Sequence, residues 1–193
     1  MANVGNTRAE ILARVPLALV NTFHTRRGKT CDDLTAPGQL ADWLGSAATE
    51  LATPLPESAL RGVTEDDLRD ARELRDAVRS IIAAFVDGRV PDGESRRRLN
   101  RRAAAAPGWP QLHWDRMPVR EHHSDAPPLS AALAEVAGIA VDLFASEARE
   151  SITACASPEC IRYFAKVDPR RKWCSLECGN RARVTRHYRK HHR

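Results

Sequence analysis

The chain has 193 residues, 42% of them hydrophobic, and a formal net charge of +5. This length suits one good core or one domain with a small appendage, and the apolar share excludes a wholly disordered chain. No stretch is expected to span a bilayer, and the apolar run at 15–20 is too short for the core of a signal peptide. We therefore expect a soluble, cytoplasmic protein that does not enter a membrane.

The positive charge is concentrated at the C-terminal end. Residues 155–193 contain eleven Lys or Arg and three Asp or Glu, a net charge of +8, whereas the remaining residues carry a net charge of −3. A composition rich in arginine does not explain a local excess over acidic residues. Such an asymmetry favours a basic module with an anionic partner.

Two long segments have the periodicity of amphipathic helices. In residues 64–87, apolar side chains recur every three or four positions, Thr64 is a suitable N-cap, and Gly88 is a suitable stop. A second long helix is predicted from Ser130 to about Ala148. Its predicted inward side chains are Leu133, Val136, Ala137, Ala140, Val141 and Phe144.

Shorter elements occupy the remainder of the N-terminal part. In chain order, the pattern predicts a strand or buried run at 15–23, a loop at 24–33, a short helix at 39–45, a loop at 52–63, an arginine-rich helix at 93–105, a weak hairpin at 111–122 and a loop at 123–130. The body is therefore expected to be mainly helical with a small β element.

Four of the five cysteines are clustered, at Cys155, Cys160, Cys174 and Cys178, in the pattern C-x4-C, thirteen residues, C-x3-C. Two chelating pairs satisfy the four-coordinate, tetrahedral preference of zinc, so we expect one Zn²⁺ held by these thiolates. Two disulfides are disfavoured in a chain without an export signal, and an iron–sulfur cluster lacks its familiar spacings. Because four thiolates leave no open position, the metal is expected to be structural.

The order of elements around the cysteines is that of a treble-clef-like zinc finger. Residues between the first pair form a knuckle, Ile161 to Trp173 are predicted to form a hairpin around Asp168-Pro169, and Ser175 is a suitable cap for a following helix. We therefore predict an N-terminal helical body over residues 1–150, for sensing or dimerisation, and a zinc finger over residues 151–193.

The sequence Cys178-Gly179-Asn180-Arg181, preceded by Arg171-Lys172-Trp173-Cys174-Ser175, resembles the signature of CGNR-type zinc fingers. The upstream body resembles the ABATE domain in its Leu19-Val20-Asn21-Thr22 segment, in Leu40 to Leu44 and in its order of elements. Proteins of that type are described as bacterial stress-induced transcription regulators. The resemblance implies the same role for this chain.

The segment after Cys178 is predicted to continue as a basic helix. At 100° per residue, Arg183, Arg186, Lys190 and Arg193 form one stripe, and Val184 and Tyr188 fall opposite, where they are expected to pack on the hairpin. Arg181 is expected nearer the packing side. The simpler alternative to a nucleic-acid-binding helix is a basic C-terminal tail that is merely solvated. The predicted nucleic-acid-binding residues are Arg170, Arg171, Lys172, Arg181, Arg183, Arg186, Arg189 and Lys190.

Other candidate sites are weaker. Asn21 and Thr22 end an apolar run beside His24 and Arg26, which indicates either a ligand pocket or a capped strand end. Cys31 lies near Arg26, Arg27 and Lys29, so it is either a redox-sensing thiol or, as we favour, a buried inert one.

Histidines and a further arginine run complete the candidates. His187 and His191 are spaced for a second metal but are better interpreted as surface residues. The run at 96–102 is interpreted as the outer face of a helix, with a second phosphate contact as the alternative. His113, His122 and His123 are interpreted as surface or hairpin residues.

We therefore predict a DNA-binding transcription regulator, with duplex DNA as its partner, and not an enzyme, because no catalytic motif is present. Tight specific binding by one finger requires a homodimer or further contacts, and the body is expected to sense a stress signal or small-molecule effector. The rival interpretation is a zinc-stabilised module for protein or RNA interaction, and a third, weaker alternative is an enzyme whose pocket lies in the body.

Overall fold

The computed structural model describes residues 8–166 and 168–191, and of residues 8, 187 and 189–191 it describes the backbone alone. The protein is 56% helical with a few short antiparallel strands, as the sequence predicts. The chain forms two compact units. The discontinuous unit combines the segment up to Asp33 with the segment from Leu143 onward, and the central unit comprises Leu34–Asp142.

The discontinuous unit contains the cysteine module together with an N-terminal helix and hairpin. Its elements are α1 (Arg8–Val20), β1 (Phe23–Arg26), β2 (Lys29–Asp32), a 3₁₀ turn (Glu147–Ser151), β5 (Ile152–Ala154), β6 (Tyr163–Ala165) and α7 (Leu176–His191). The predicted domains 1–150 and 151–193 remain a prediction. In space, the cysteine module is grouped with the first elements of the chain.

The predicted strand at 15–23 is wrong, because this segment is the second half of α1 and its end. The run is buried, as expected, at Val15, Leu17, Leu19 and Val20. A short apolar run fits a buried helix as well as a buried strand, and periodicity alone does not separate the two. Pro16 lies inside the helix and argued against it, since proline removes one intrahelical hydrogen bond.

The predicted loop at 24–33 is instead a hairpin. Strands β1 and β2 pair antiparallel from Phe23↔Asp32 to Arg26↔Lys29. The connecting residues Arg27 and Gly28 both have positive φ, at 52° and 75°. Two consecutive residues of this kind form the tight turn whose twist matches that of paired strands. Arg27-Gly28 was therefore an available turn signal that the sequence interpretation missed.

The central unit is built from helices and one hairpin. They are α2 (Pro37–Ala47), α3 (Glu57–Arg61), α4 (Glu65–Val86), α5 (Gly93–Ala104), β3 (Gly108–Trp114), β4 (Pro118–Ser124) and most of α6 (Pro128–Ala145). The predicted helices at 39–45, 64–87 and 93–105 are confirmed. The predicted loop at 52–63 is corrected, because it contains the short helix α3.

Helix α4 forms as its sequence predicts. The Thr64 hydroxyl accepts the backbone N–H of Asp67, and the Asp67 carboxylate accepts the N–H of Thr64 in return. This reciprocal capping box satisfies two backbone donors that the first turn of a helix leaves open. The apolar face from Leu68 to Ile82 is buried, so α4 supplies much of the core of its unit.

The hairpin of β3 and β4 is confirmed and is longer than predicted. It pairs from Gly108↔Ser124 to Trp114↔Pro118. Every residue of β3 is exposed, and so is Val119 on the partner strand. The hairpin therefore contributes little to the core.

Helix α6 corrects the expectation that no segment is long enough to span a bilayer. Its 18 residues have a mean hydropathy of 1.6, which suffices by length and composition, but half of that window is buried inside the protein. Leu133, Val136, Ala137 and Ala140 are buried as predicted, and Leu143 is buried in addition. The core helix of a soluble protein passes the same test, so α6 is weak evidence for a membrane protein.

The N-cap of α5 makes a prediction about pH. The Asp92 carboxylate accepts the N–H of Ser95 at 2.8 Å and the hydroxyl of Ser80 at 3.0 Å. The hydrogen bond from the Ser95 backbone is the largest of the contributions that lower the pKa of Asp92 from 3.8 to about 2. Because the folded pKa is depressed, this stabilisation is present above pH 3.8 and is lost as the pH falls through about 2.

Replacing Asp92 with asparagine should therefore flatten the acid limb of the stability curve. Asparagine still accepts the capping hydrogen bond but does not titrate. Thermal melts at about pH 4.5 and about pH 2.5 should show a smaller drop in Tm for D92N than for the wild type. An equal drop in the two proteins would assign the acid sensitivity to other carboxylates.

Candidate metal centre

The structure brings the four clustered cysteines together in the discontinuous unit. Cys155 follows β5, Cys160 ends the knuckle, Cys174 precedes α7, and Cys178 lies in the first turn of α7. All four sulfur atoms lie within 4.8 Å of one another. The Sγ–Sγ distances are 3.8 Å for Cys160 and Cys174, 3.5 Å for Cys174 and Cys178, and 3.7 Å for Cys178 and Cys160.

These distances fit a tetrahedral zinc site. Zn–S bonds of about 2.3 Å at tetrahedral angles place neighbouring sulfurs about 3.8 Å apart. The three Sγ–Sγ distances fall within a few tenths of an ångström of that value. Four thiolates complete the coordination of the metal, so the cluster fits one structural zinc ion, as the cysteine spacing predicts.

Groups around the sulfurs hold them in place. The Cys155 sulfur accepts the backbone N–H of Cys174 at 3.3 Å, and the Cys178 sulfur accepts a guanidinium N–H of Arg181 at 3.5 Å. Donors of this kind orient the ligands and stabilise the thiolate form. The Ser175 hydroxyl accepts the N–H of Cys178 at 3.2 Å, which confirms the predicted helix cap. The surroundings of the cluster therefore stabilise the thiolate form of the cysteines.

The metal-free thiols differ in their affinity for protons. Burial raises the pKa of Cys160 and, more strongly, that of Cys174, with neighbouring sulfurs adding to the shift. Burial also opposes ionisation of Cys178, but hydrogen bonds from Ser175 and the neighbouring cysteines outweigh it and lower the pKa of that thiol to about 7. Metal binding at neutral pH therefore displaces protons, as expected for a thiolate site.

The predicted hairpin within 161–173 is wrong in its pairing. Strand β6 pairs with β5, which precedes the first cysteine, from Ile152↔Ala165 to Ala154↔Tyr163. The turn near Asp168 is present, since its backbone carbonyl accepts the N–H of Arg171 at 2.9 Å. Val167 lies outside the described residues. The N–H of Ala156 bonds the carbonyl of Lys172 at 2.9 Å, which places the two ligand pairs side by side.

The first residue of the predicted pocket, Asn21, is hydrogen-bonded to β6. Its amide nitrogen donates to the carbonyl of Tyr163 at 2.8 Å, and its amide oxygen accepts the N–H of Tyr163 at 3.0 Å. The side chain therefore pairs with the edge of β6 much as the backbone of a further strand would. This is the geometry of a capped strand end, here formed between segments 142 positions apart in sequence.

The other three predicted pocket residues lie on or next to the β1–β2 hairpin. The buried Thr22 hydroxyl donates to the carbonyl of Leu19 at 2.6 Å, and Nε2 of His24 lies 3.1 Å from a carboxylate oxygen of Asp33. Arg26 is exposed at the end of β1. The ligand pocket at these residues remains a prediction.

Sequence reasoning missed a second contact in this region. The hydroxyl of Thr25 donates to the backbone carbonyl of Glu159 in the cysteine knuckle. Glu159 itself has a positive φ of 63°. Nothing in the local sequence pairs residues so far apart, so only the fold reveals that the hairpin and the knuckle adjoin.

The packing face predicted for the basic helix is wrong. Val184 and Tyr188 are 54% and 61% exposed, whereas Cys178 and Gly179 are buried, and the ring of Trp173 lies against Gly179. The face of α7 that packs on the finger is therefore the one bearing Cys178 and Gly179. Apolar character at Val184 and Tyr188 does not reflect burial.

Two of the predicted nucleic-acid-binding arginines have local roles. The Arg171 guanidinium donates to the carbonyls of Trp173 and Cys174, at 3.1 and 2.7 Å, and lies 4.8 Å from the ring centre of Phe164. Arg181 is half-buried and bonds Cys178, as its expected position on the packing side implies. Both guanidinium groups contribute to the stability of the module.

The remaining predicted cations lie toward solvent where the structure describes them. Arg170, Lys172, Arg183 and Arg186 are exposed, and a guanidinium nitrogen of Arg183 lies 2.5 Å from the side-chain oxygen of Asn180. The side chains of Arg189, Lys190, His187 and His191, and all of Arg193, lie outside the described residues.

The other candidates from the sequence have ordinary surroundings. In the run at 96–102, Arg97, Arg98 and Arg101 share the carboxylate of Glu94, and Arg102 contacts Asp70, so two carboxylates compensate part of its charge. Cys31 is half-buried. His113 is exposed on β3, as predicted.

Comparison with family models gives two matches in chain order. A model described as "Putative stress-induced transcription regulator", ABATE, matches residues 13–147. The CGNR zinc finger model matches residues 152–191. No curated protein matches the chain. The two family matches confirm the resemblance inferred from the cysteine signature and from the Asn21-Thr22 segment.

Proposed function

The chain belongs to the ABATE family and ends in a CGNR zinc finger, and from this premise we propose that it regulates transcription by binding duplex DNA through helix α7. The family and the four-cysteine cluster indicate a regulatory zinc-binding protein. DNA binding by named residues is the proposal. The observation that carries it is the exposed face of α7.

Three side chains on that face suit contacts with base edges. Asn180, Arg183 and Val184 are exposed, and Asn180 lies three positions before Arg183 and four before Val184, so it neighbours both on the surface of α7. Arginine and asparagine make bidentate hydrogen bonds to guanine and adenine, and a small apolar side chain contacts the methyl group of thymine. The exposure of Val184 therefore supports a role in contacting DNA bases, whereas its apolar character had predicted a role in packing.

Exposed cations flank this face for contacts with phosphate. Arg186 lies further along α7, and Arg170 and Lys172 lie in the segment before it. Residues 155–193 carry a net charge of +8, and four thiolates with one Zn²⁺ lower it to +6. A charge of this size on a small module supports binding to an anionic polymer.

The finer parts of the proposal follow from this interface. One finger buries little surface, so tight and specific binding requires a homodimer or additional contacts. We propose a cytoplasmic protein that is nucleoid-associated when bound to DNA and that responds to a small-molecule effector. We also propose that it is not an enzyme, which the closed four-thiolate site supports because the zinc has no position for a substrate.

Replacing Arg183 or Arg186 with alanine is expected to weaken DNA binding. Loss of a bidentate base contact costs about 1–3 kcal/mol and relaxes preference at one base position, whereas loss of a phosphate contact weakens all sequences alike. Each lost phosphate contact should reduce the slope of log K against log salt by about one. Fluorescence anisotropy on labelled duplexes, selected from random sequence, measures both quantities.

The matched control is Arg116→Ala, which removes the same charge from the exposed turn between β3 and β4. All proteins are compared at equal zinc content. If R183A and R186A bind as tightly as R116A, α7 is not the interface. Tighter binding of RNA than of duplex DNA, or affinity no better than that of a peptide of equal charge, would favour the rival interaction module.

A further inference from the structure

The central unit contains a cavity that the sequence motifs did not predict. Its volume is about 570 Å³, within the range of about 300–1,000 Å³ that small-molecule sites occupy. It lies between the segment at 52–56, the second half of β4 and the start of α6. The lining residues are Ala52, Thr53, Pro54, Pro56, Arg120, Glu121, His122, His123, Ser124, Ala126, Pro128 and Ala131.

The wall formed by residues 52–56 and α6 is largely apolar. Proline and alanine side chains dominate it, and Ala131 is buried. Thr53 is only 5% exposed. Such a wall suits the hydrocarbon body of a ligand, because burying apolar surface is favourable in proportion to its area.

The wall formed by β4 carries the polar groups. Arg120 and His122 alternate with Glu121 and His123 along the strand, so each pair shares a face. Nε2 of His123 lies 3.4 Å from the carboxylate of Glu121, which is the one acidic group of the lining. Within the described part of the chain, Arg120 has no carboxylate within ion-pair distance, whereas Arg97, Arg98 and Arg101 of α5 contact Glu94 and Arg102 contacts Asp70 of α4.

The site is largely preformed. The carboxylate of Glu135 on α6 accepts the N–H groups of Ala52 and Thr53 at 2.7 and 2.8 Å, and so anchors the apolar wall by two hydrogen bonds. On the other wall, the His122 ring fills the space beside Gly108 on β3, where a Cβ atom would overlap with it. Preorganised walls reduce the entropy that a ligand must overcome on binding.

From these features we infer that the cavity binds a small organic carboxylate with an apolar body. The apolar wall takes the hydrocarbon part, and the Arg120 guanidinium, which offers two parallel N–H donors, takes the carboxylate. His122, on the same face of β4, supplies a further ring N–H. A cationic ligand is disfavoured because the carboxylate of Glu121 already contacts His123 and that of Glu135 is hydrogen-bonded to backbone.

The test uses the zinc-loaded full chain and benzoate, with benzamide as the neutral compound of the same shape and inorganic phosphate as the anion without an apolar body. Binding is measured by isothermal titration and by ligand-observed NMR, in the absence of DNA. We expect benzoate to bind at least tenfold more tightly than either comparison compound. Benzamide lacks the charge-assisted hydrogen bond, whose loss weakens binding by about that factor, and phosphate lacks the apolar surface that the other wall would bury.

Two arginine variants locate the site. Arg120→Gln should weaken benzoate binding about tenfold or more, whereas Arg116→Gln, an equal loss of charge in the turn of the same hairpin, should leave it unchanged. His122→Gln should have an intermediate effect. We expect circular dichroism to show that each variant is folded, because Arg116 and Arg120 are exposed.

Several results would overturn the inference. They are no measurable binding of benzoate, equal binding of benzamide or phosphate, and equal benzoate affinity of R120Q and R116Q. None of these results bears on whether α7 binds DNA, since the cavity lies within the central unit and its occupancy is measured without nucleic acid.

Discussion

Replacing Cys174 with serine is expected to abolish stoichiometric zinc binding and to unfold the cysteine module. The sulfur of Cys174 lies 3.5 Å from that of Cys178 and 3.8 Å from that of Cys160. The backbone N–H of Cys174 donates to the sulfur of Cys155. Structural zinc supplies on the order of 10 kcal/mol or more to small modules, and serine is a far poorer ligand than thiolate. The effect should therefore exceed that of any single substitution in the core, which reaches about 5 kcal/mol.

Metal analysis of the purified protein should give about one zinc per wild-type chain and almost none for C174S. Cobalt substitution offers a second readout, because thiolate coordination produces characteristic charge-transfer absorption. The control is Cys31→Ser, the same chemical change at a cysteine outside the cluster. The assignment of ligands fails if C174S retains one equivalent of zinc, or if C31S loses it.

Replacing Asn21 with alanine is expected to destabilise the discontinuous unit by on the order of 2 kcal/mol. The substitution removes the hydrogen bonds to both the N–H and the carbonyl of Tyr163. An unsatisfied backbone group that is shielded from water costs about 1–3 kcal/mol. Because Tyr163 on β6 loses both hydrogen bonds to Asn21, zinc should also dissociate faster from N21A than from the wild type.

Asn100→Ala is the matched control, because Asn100 is exposed on α5 in the central unit. Urea unfolding gives the free energies, and hydrogen exchange at the Tyr163 amide reports the local bond directly. Asn21→Asp adds a discriminating test, since aspartate can still accept from the Tyr163 N–H but places an oxygen against its carbonyl. Unchanged exchange at Tyr163 in N21A would show that these bonds do not stabilise β6.

The cysteine spacing, by itself, determined the metal centre. Cys174 lies just before α7 and Cys178 in its first turn, and ligands five residues apart close a knuckle, so each pair is nearly set by local geometry. The same holds for α4, where the Thr64 capping box and the apolar period both lie within the segment. Features that depend on neighbours within a few residues were therefore predictable from sequence.

The tertiary structure alone decided features that depend on distant partners. The apolar run at 15–20 suits either a helix or a strand, because its hydrophobic pattern does not separate the two. It forms a helix whose apolar side chains are buried within the fold. Strand β6 likewise pairs with β5 and with the side chain of Asn21, since backbone groups bond whichever partner the fold brings near. A hairpin was predicted there because sequence shows only nearby candidates.

The outer half of α7 gives the same lesson for function. Val184 and Tyr188 are apolar enough to be predicted as a packing face, yet they are exposed, because the packed side of α7 is the one that carries Cys178 and Gly179. The cavity on β4 was equally invisible, since its walls come from segments separated by more than sixty residues. Local spacing determined how this protein can hold its metal. Long-range packing decided which surfaces face solvent and which residues share a cavity, because these depend on partners that lie far apart in the sequence.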